Sequence, residues 1–200
     1  MFTGIVRGIG RVAHVEGGGD ARRLMIETGK VATGAWQTGD SIAVAGVCLT
    51  IVKLTGTAFD ADLSGETLAR TTLGRLCAGD RVNLEPSLSA ADVLGGHLVS
   101  GHVDGIAEVR TVEETAGSIH ATIEAPSALT RFIASKGSVT LDGVSLTVSF
   151  ISGATFGIDV VPHTRAVTTF HSIAAGQSLN LEVDLIARYL ERLLEARGIR

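Results

Sequence analysis

Cysteine is scarce in this chain. Cys48 and Cys77 are the only two in 200 residues, too few for a disulfide scaffold. An excess of basic residues is missing as well. With 17 Lys and Arg against 21 Asp and Glu, the net charge is −4, which argues against a nucleic-acid partner, since that requires a basic face. No apolar run approaches the ~18 residues of a transmembrane helix, so no membrane role is expected. The start, Met1-Phe2-Thr3-Gly4, lacks the charged and then apolar stretches of a signal peptide. Together these absences point to a reducing, cytoplasmic setting. There is no G-x-S-x-G elbow and no Walker A sequence. His97 and His102 are far from Cys48 along the chain, so no clustered metal ligands are read and no metal is expected. Gly8-Ile9-Gly10-Arg11-Val12-Ala13 fits a dinucleotide fingerprint in letters only. A helix must follow such a fingerprint, whereas here a strand-like run leads into Gly17-Gly18-Gly19.

What is present is a repeat. At an offset of 97, residues 1–88 and 98–185 align without a gap, with about 28 of 88 positions identical. Gly4 to Val12 faces Gly101 to Val109, Ser41 to Ile51 faces Ser138 to Val148, and Asn83-Leu84-Glu85 faces Asn180-Leu181-Glu182. Only two copies exist, which excludes a solenoid or propeller. With 45 % hydrophobic and 19 % charged residues, each copy can bury a core.

Each copy reads as β-structure. Strand-like runs recur at Thr3–Val6, Arg11–Val15, Arg23–Thr28, Phe59–Leu63 and Arg81–Leu84. Ser41–Val52 and Ser138–Phe150 are each interrupted by a glycine, Gly46 and Gly143, that marks a hairpin turn or a bulge, with Asp142-Gly143 the stronger turn signal. About six short strands in under 90 residues suit a small antiparallel barrel. Short helical stretches are expected near Glu66–Leu73, Pro126–Ala134 and His163–Phe170. After Asp184, a good N-cap, Leu185, Tyr189 and Leu193 form one apolar row and Ile186, Leu190 and Leu194 its neighbour. The expected organisation is all-β, with duplicated six-stranded Greek-key barrels at 1–97 and 98–185 and a C-terminal helix at 186–200 for oligomerisation.

Two segments carry candidate chemistry. Gly95-Gly96-His97-Leu98-Val99-Ser100-Gly101-His102-Val103-Asp104-Gly105 would let backbone approach a flat ligand closely, although a plain glycine-rich turn reads equally well. Val47-Cys48-Leu49-Thr50 and Val144-Ser145-Leu146-Thr147 each set a thiol or hydroxyl beside a threonine two residues on, on one face of a strand.

These residues resemble the alpha-type riboflavin synthases. The likeness runs through MFTGIV at 1–6, GVCLT at 46–50, GETL at 65–68, GGHLVSGHVDG at 95–105, KGSVTLDGVSLTV at 136–148, VPHT at 161–164 and ARYLERL at 187–193. It implies that two molecules of 6,7-dimethyl-8-ribityllumazine exchange a four-carbon unit, giving riboflavin and 5-amino-6-(D-ribitylamino)uracil, with no cofactor. It further implies a homotrimer whose active sites form between the N-terminal barrel of one subunit and the C-terminal barrel of the next. Association with lumazine synthase, which makes the substrate, is left open. By position, one lumazine is expected against Gly4, Ile5, Val6, Val47, Cys48 and Leu49, with Asp62, Leu63, Ser64, Gly65, Glu66, Thr67, Gly101, His102 and Val103 completing the pocket. The second is expected against Lys136, Ser145, Leu146, Thr147, Val160, Val161, Pro162, His163, Thr164 and Arg165. Phe2, Ser41, Cys48, His102, Ser145 and Thr147 match residues implicated in catalysis. A histidine can move protons near neutral pH, and stacking two substrates in opposed orientation supplies an entropic gain. Ala45 departs from the asparagine usual before the glycine of GVCLT, which puts the turn there in question. The competing class is a lumazine protein, which holds one fluorophore without turnover and is expected to lose the second site. The presence of Lys136, Ser145, Thr147, Pro162 and His163 favours the enzyme.

Overall fold

The computed structural model describes residues 1–19, 21–34 and 36–198, and among them twelve strands form two closed antiparallel barrels. Around the first barrel run β1 (Gly8–Gly18), β2 (Ala21–Glu27), β5 (Ala58–Leu63), β4 (Val47–Thr55), β3 (Ser41–Val44) and β6 (Arg81–Pro86), and β6 closes on β1. The second runs β7 (Gly105–Thr115), β8 (Ser118–Glu124), β11 (Thr155–Val160), β10 (Val144–Ser152), β9 (Ser138–Leu141) and β12 (Ser178–Val183). Each strand starts 97 residues after its counterpart, as the repeat requires. Burial alternates along β4 and β10 in step with the pleat, so one face of each strand enters the core. Phe59 and Phe156 fill matching places inside the two barrels. Irregularities after Val12, Ile51, Val109 and Val148 bend these strands enough to close so small a barrel.

Short helices α1 (Gly65–Arg70) and α2 (Pro162–Val167) follow β5 and β11, each leading into a single 3-10 turn. The expected strand at Thr3–Val6 does not form. Gly4 sits at φ +75°, outside the extended region, and only the flanking Phe2 pairs, with Val99.

The hairpin turns hold the barrels together. Ala45 and Gly46 have φ of 45° and 78°, Asp142 and Gly143 have 44° and 80°, the double left-handed geometry of a two-residue turn. The two turns stand back to back. A Cβ on Gly46 would lie 2.6 Å from the Gly143 nitrogen, so only glycine permits the approach. Ala45, despite its side chain, is held left-handed from both sides: its N–H donates to the Asn83 carbonyl and its own carbonyl accepts from Asn180 Nδ2 at 2.8 Å. Asn83 returns the bond to the Asp142 carbonyl at 2.9 Å, and the Asn83 and Asn180 side-chain oxygens accept from Thr169 and Thr72 N–H. The mirrored Asn-Leu-Glu triplets are thus cross-barrel clamps.

α3 (Leu185–Ala196) begins at Asp184, whose carboxylate accepts from the Ile186 N–H. Arg188 to Asp104 and Arg131 to Glu191 pin it to the second barrel. Its apolar rows stay open, with Ile186, Tyr189, Leu190 and Leu193 all more than half exposed. Residues 199 and 200, the end of the expected helical tail, lie outside the described residues. No helix here is long and apolar enough to cross a membrane.

Candidate functional site

Each repeat sends its opening segment across to the other barrel. Glu85, buried on β6, accepts from the Thr3 N–H and hydroxyl at 2.7 Å and from the Gly4 N–H at 3.0 Å. Held there, the Gly4 carbonyl accepts from Ser145 N–H of the second barrel at 2.8 Å. The mirror image is complete: Glu182 binds Ser100 and Gly101, and the Gly101 carbonyl accepts from Cys48 N–H of the first barrel at 2.8 Å. Burial raises the pKa of both glutamates, and the N–H and hydroxyl donors oppose that rise. Both crossings need glycine, because a Cβ on Gly4 would meet Ser145 at 2.5 Å and one on Gly101 would meet Cys48 at 2.6 Å.

Each crossing brings residues of both barrels together at one candidate site. The first is an open cavity of about 300 Å³ lined by Val47, Cys48, Ser64, Glu66, Thr67, Arg70, Thr71, Gly101, His102 and Val103. Cys48 is half-buried over Phe2, which is fully enclosed among Ala43, Val99 and the Cys48 side chain. Phe2 therefore reaches the cavity only by seating Cys48. Ser64 caps α1 by accepting from the Thr67 N–H, which fixes this helix at the rim.

The second site gathers around Ser145, whose hydroxyl lies 2.7 Å from His97 Nδ1, while His97 Nε2 lies 3.1 Å from the Thr140 hydroxyl. With Nε2–H donating to Thr140, Nδ1 is left to accept from Ser145. Burial lowers the His97 pKa, with Asp184 opposing weakly, so the neutral ring that can take a proton is favoured. Among the described residues the first barrel has no such arrangement, since Cys48 and Ala43 stand where Ser145 and Thr140 would. Thr147 is exposed on the same face of β10 as Ser145.

The structure regroups the expected contacts. Gly4, Ile5 and Val6 belong with Ser145 rather than Cys48, because the opening segment crosses over; Val6 packs into the second barrel's core. Asp62 is bound by Arg23 through both oxygens, at 2.6 and 2.9 Å, and Leu63, Leu49, Leu146 and Val160 are core residues that shape the walls from behind. Gly65 opens α1. Ser41 pairs with Thr50, not with the Ala43–Cys48 position, and lines a separate cavity with Trp36 and Ser87. Val161, Pro162 and His163 are exposed at the start of α2, with Thr164 behind them, while Arg165 is bound by Glu114. Lys136 is exposed at φ +65° beside β9, beyond Thr147. His97, Thr140, Arg70 and the two clamp glutamates were not expected at the site. Only the mirrored Asn-Leu-Glu triplets and the glycine-rich segment signalled any of them.

Residues 3–87 and 100–184 each match the family described as the lumazine binding domain. The riboflavin synthase of Mycobacterium bovis is 45 % identical over 202 residues, covering 99 % of this chain and 100 % of the relative. That of Photobacterium phosphoreum is 42 % identical over 194 residues, covering 97 % and 89 %. Solved structures of LumP complexed with riboflavin and with flavin mononucleotide match with TM-scores of 0.85 and 0.82. Their identities are 27 % and 26 %, and each match covers 92 % of this chain and 99 % of the other.

Proposed function

The chain belongs to the riboflavin synthase family, with its lumazine binding domain in two copies, and from that premise we propose how the two pockets divide the chemistry. The enzyme converts two molecules of 6,7-dimethyl-8-ribityllumazine into riboflavin and 5-amino-6-(D-ribitylamino)uracil by moving a four-carbon unit, a transferase reaction. All product atoms come from the two substrates, so nothing in the balance calls for a redox partner. The observation that carries the division of labour is the hydrogen-bonded run Ser145–His97–Thr140, which has no counterpart beside Cys48 among the described residues.

The acidic proton of the substrate is on its 7-methyl group, whose anion delocalises into the ring. In the Ser145 pocket, His97 draws a proton through the serine hydroxyl, so this lumazine becomes the carbanion. The lumazine over Cys48 is the partner it attacks, with the thiol placed to add to the ring and His102 to exchange protons at the open edge. Opposed stacking of the two rings makes the step effectively unimolecular.

A single chain presents both kinds of pocket, and the reading includes a cytoplasmic homotrimer in which the N-terminal barrel of one subunit faces the C-terminal barrel of the next. The open apolar rows of α3 support it, because a helix with that much exposed leucine is stabilised by a second copy. Deleting residues 185–200 is expected to give folded monomers with little turnover; an intact trimer in sedimentation would count against it. The activity itself is tested by adding the lumazine and following riboflavin fluorescence. Bound fluorophore without conversion would instead favour a lumazine-holding protein, a reading to which the Ser145–His97 pair gives no support.

A further inference from the structure

Glu182 on β12 is buried, and both its oxygens are taken up by the opening segment of the second repeat. Oε1 accepts from the Ser100 N–H at 2.7 Å and from the Ser100 hydroxyl at 2.6 Å, and Oε2 accepts from the Gly101 N–H at 3.0 Å. Two arms leave from there. The Ser100 hydroxyl, its proton given to the carboxylate, accepts from the His102 N–H at 3.3 Å. The Gly101 carbonyl accepts from the Cys48 N–H at 2.8 Å, which carries the second arm into the first barrel. Cys48 and His102 both line the cavity of about 300 Å³, whereas Glu182 does not.

One carboxylate thus fixes the backbone of two side chains that come from different barrels. Resting on the reading above that Cys48 and His102 act on one lumazine, we propose that Glu182 is a positioning residue of the reaction, aiming the thiol and the imidazole at the same ring without touching it. The role calls for a carboxylate. Three donors converge on it and it offers only acceptors, so every donor is met. A glutamine has one oxygen, and its NH2 would have to face the Ser100 donors or the Gly101 N–H, donor against donor. The segment then shifts to recover an acceptor, and a displacement of about 1 Å at a reacting group is enough to slow a reaction about 10²-fold. Glu85 makes the same three bonds to Thr3 and Gly4, at 2.7, 2.7 and 3.0 Å, yet its arms lead to Ile5 and Ser145. The twins serve the fold alike and differ in what they aim.

The twin supplies the control. In full-length protein carrying Cys77→Ser, so that Cys48 is the only thiol, Glu182→Gln is expected to speed alkylation of Cys48 by iodoacetamide about fivefold. Gly101, which packs against the Cys48 side chain, is then no longer held over it. The same variant is expected to lower kcat by about tenfold or more, with KM for the lumazine changing less. Glu85→Gln removes the matching bonds but leaves Phe2, which seats Cys48, its own pair of bonds with Val99, so Cys48 alkylation is expected to stay at the wild-type rate. Equal acceleration in both variants, or none in Glu182→Gln, would overturn the proposal, because a loss of stability alone affects both alike. If Glu182→Gln fails to fold, Ser100→Ala carries the test. It keeps the carboxylate and both N–H donors and cuts only the arm to His102, so kcat is expected to fall while Cys48 alkylation holds. Full kcat in Ser100→Ala beside a loss in His102→Gln would overturn the proposal. Full kcat in both would instead sink the reading that His102 acts on the substrate.

Discussion

Replacing His97 with glutamine is expected to lower kcat by roughly 10²–10⁴-fold, the range for losing a general base, while KM for the lumazine changes little. The side chain stays within reach of Ser145 and Thr140, so the pocket keeps its shape and loses only the proton acceptor. The pH profile separates this role from a structural one. Burial holds the His97 pKa below the ordinary histidine value, so wild-type kcat should persist into acid and fall only as pH drops through that lowered value. In the glutamine variant that acid limb should disappear from the residual rate. Full kcat with a raised KM would remove His97 from the chemistry. An acid limb kept by the variant would assign it to another group, His102 being the first to examine.

Asp142→Asn is expected to give the largest change in stability. Asp142 is 8 % exposed in the turn packed against Ala45 and Gly46, and burial pushes its pKa from 3.8 up to about 7, opposed only by the Asn180 N–H. The folded state therefore binds the proton more tightly than the unfolded one. The resulting stability is fully present below about pH 4 and is lost as pH rises through about 7, a total of about 4 kcal/mol for a shift of this size. Asparagine tolerates the left-handed φ of 44° and can still accept from the Asn180 N–H, yet it carries no charge to bury. Denaturant titrations of both proteins from pH 4 to 8 should show the variant's advantage growing across that window and levelling above it. A difference that stays flat, or that shrinks as pH rises, would refute the burial argument. Glu85 and Glu182 are raised in the same direction, but they remain in both proteins and cancel in the comparison.

Ala45 clarifies why one mirrored turn can do without a polar residue. It holds the same left-handed conformation as Asp142 because Asn83 and Asn180 bond its N–H and carbonyl. The departure from asparagine therefore leaves the turn intact, and the first barrel avoids the buried carboxyl that the second carries.

How much was legible beforehand follows from the range over which each signal acts. The duplication, the period-two strands, both hairpins and the amphipathic tail could be read from the chain, because alternation, a turn glycine and a helical stripe are set by residues a few places apart. The offset of 97 carried that local reading from one copy to the other. Gly4–Val6 could not be assigned this way. They align with Gly101–Val103, sharing the glycine and the valine, and nothing in a linear alignment indicates that each segment leaves its own barrel for the other. That crossing depends on Glu85 and Glu182 binding backbone N–H groups more than 80 residues away. His97 was hidden for the same reason, since its partners Ser145 and Thr140 are 48 and 43 residues distant and it lies outside the repeated segment. The pattern of the chain determined two barrels. Which side chains come together, and that Ser145 and Thr140 flank His97, was decided by long-range hydrogen bonds that exist only once both barrels have closed.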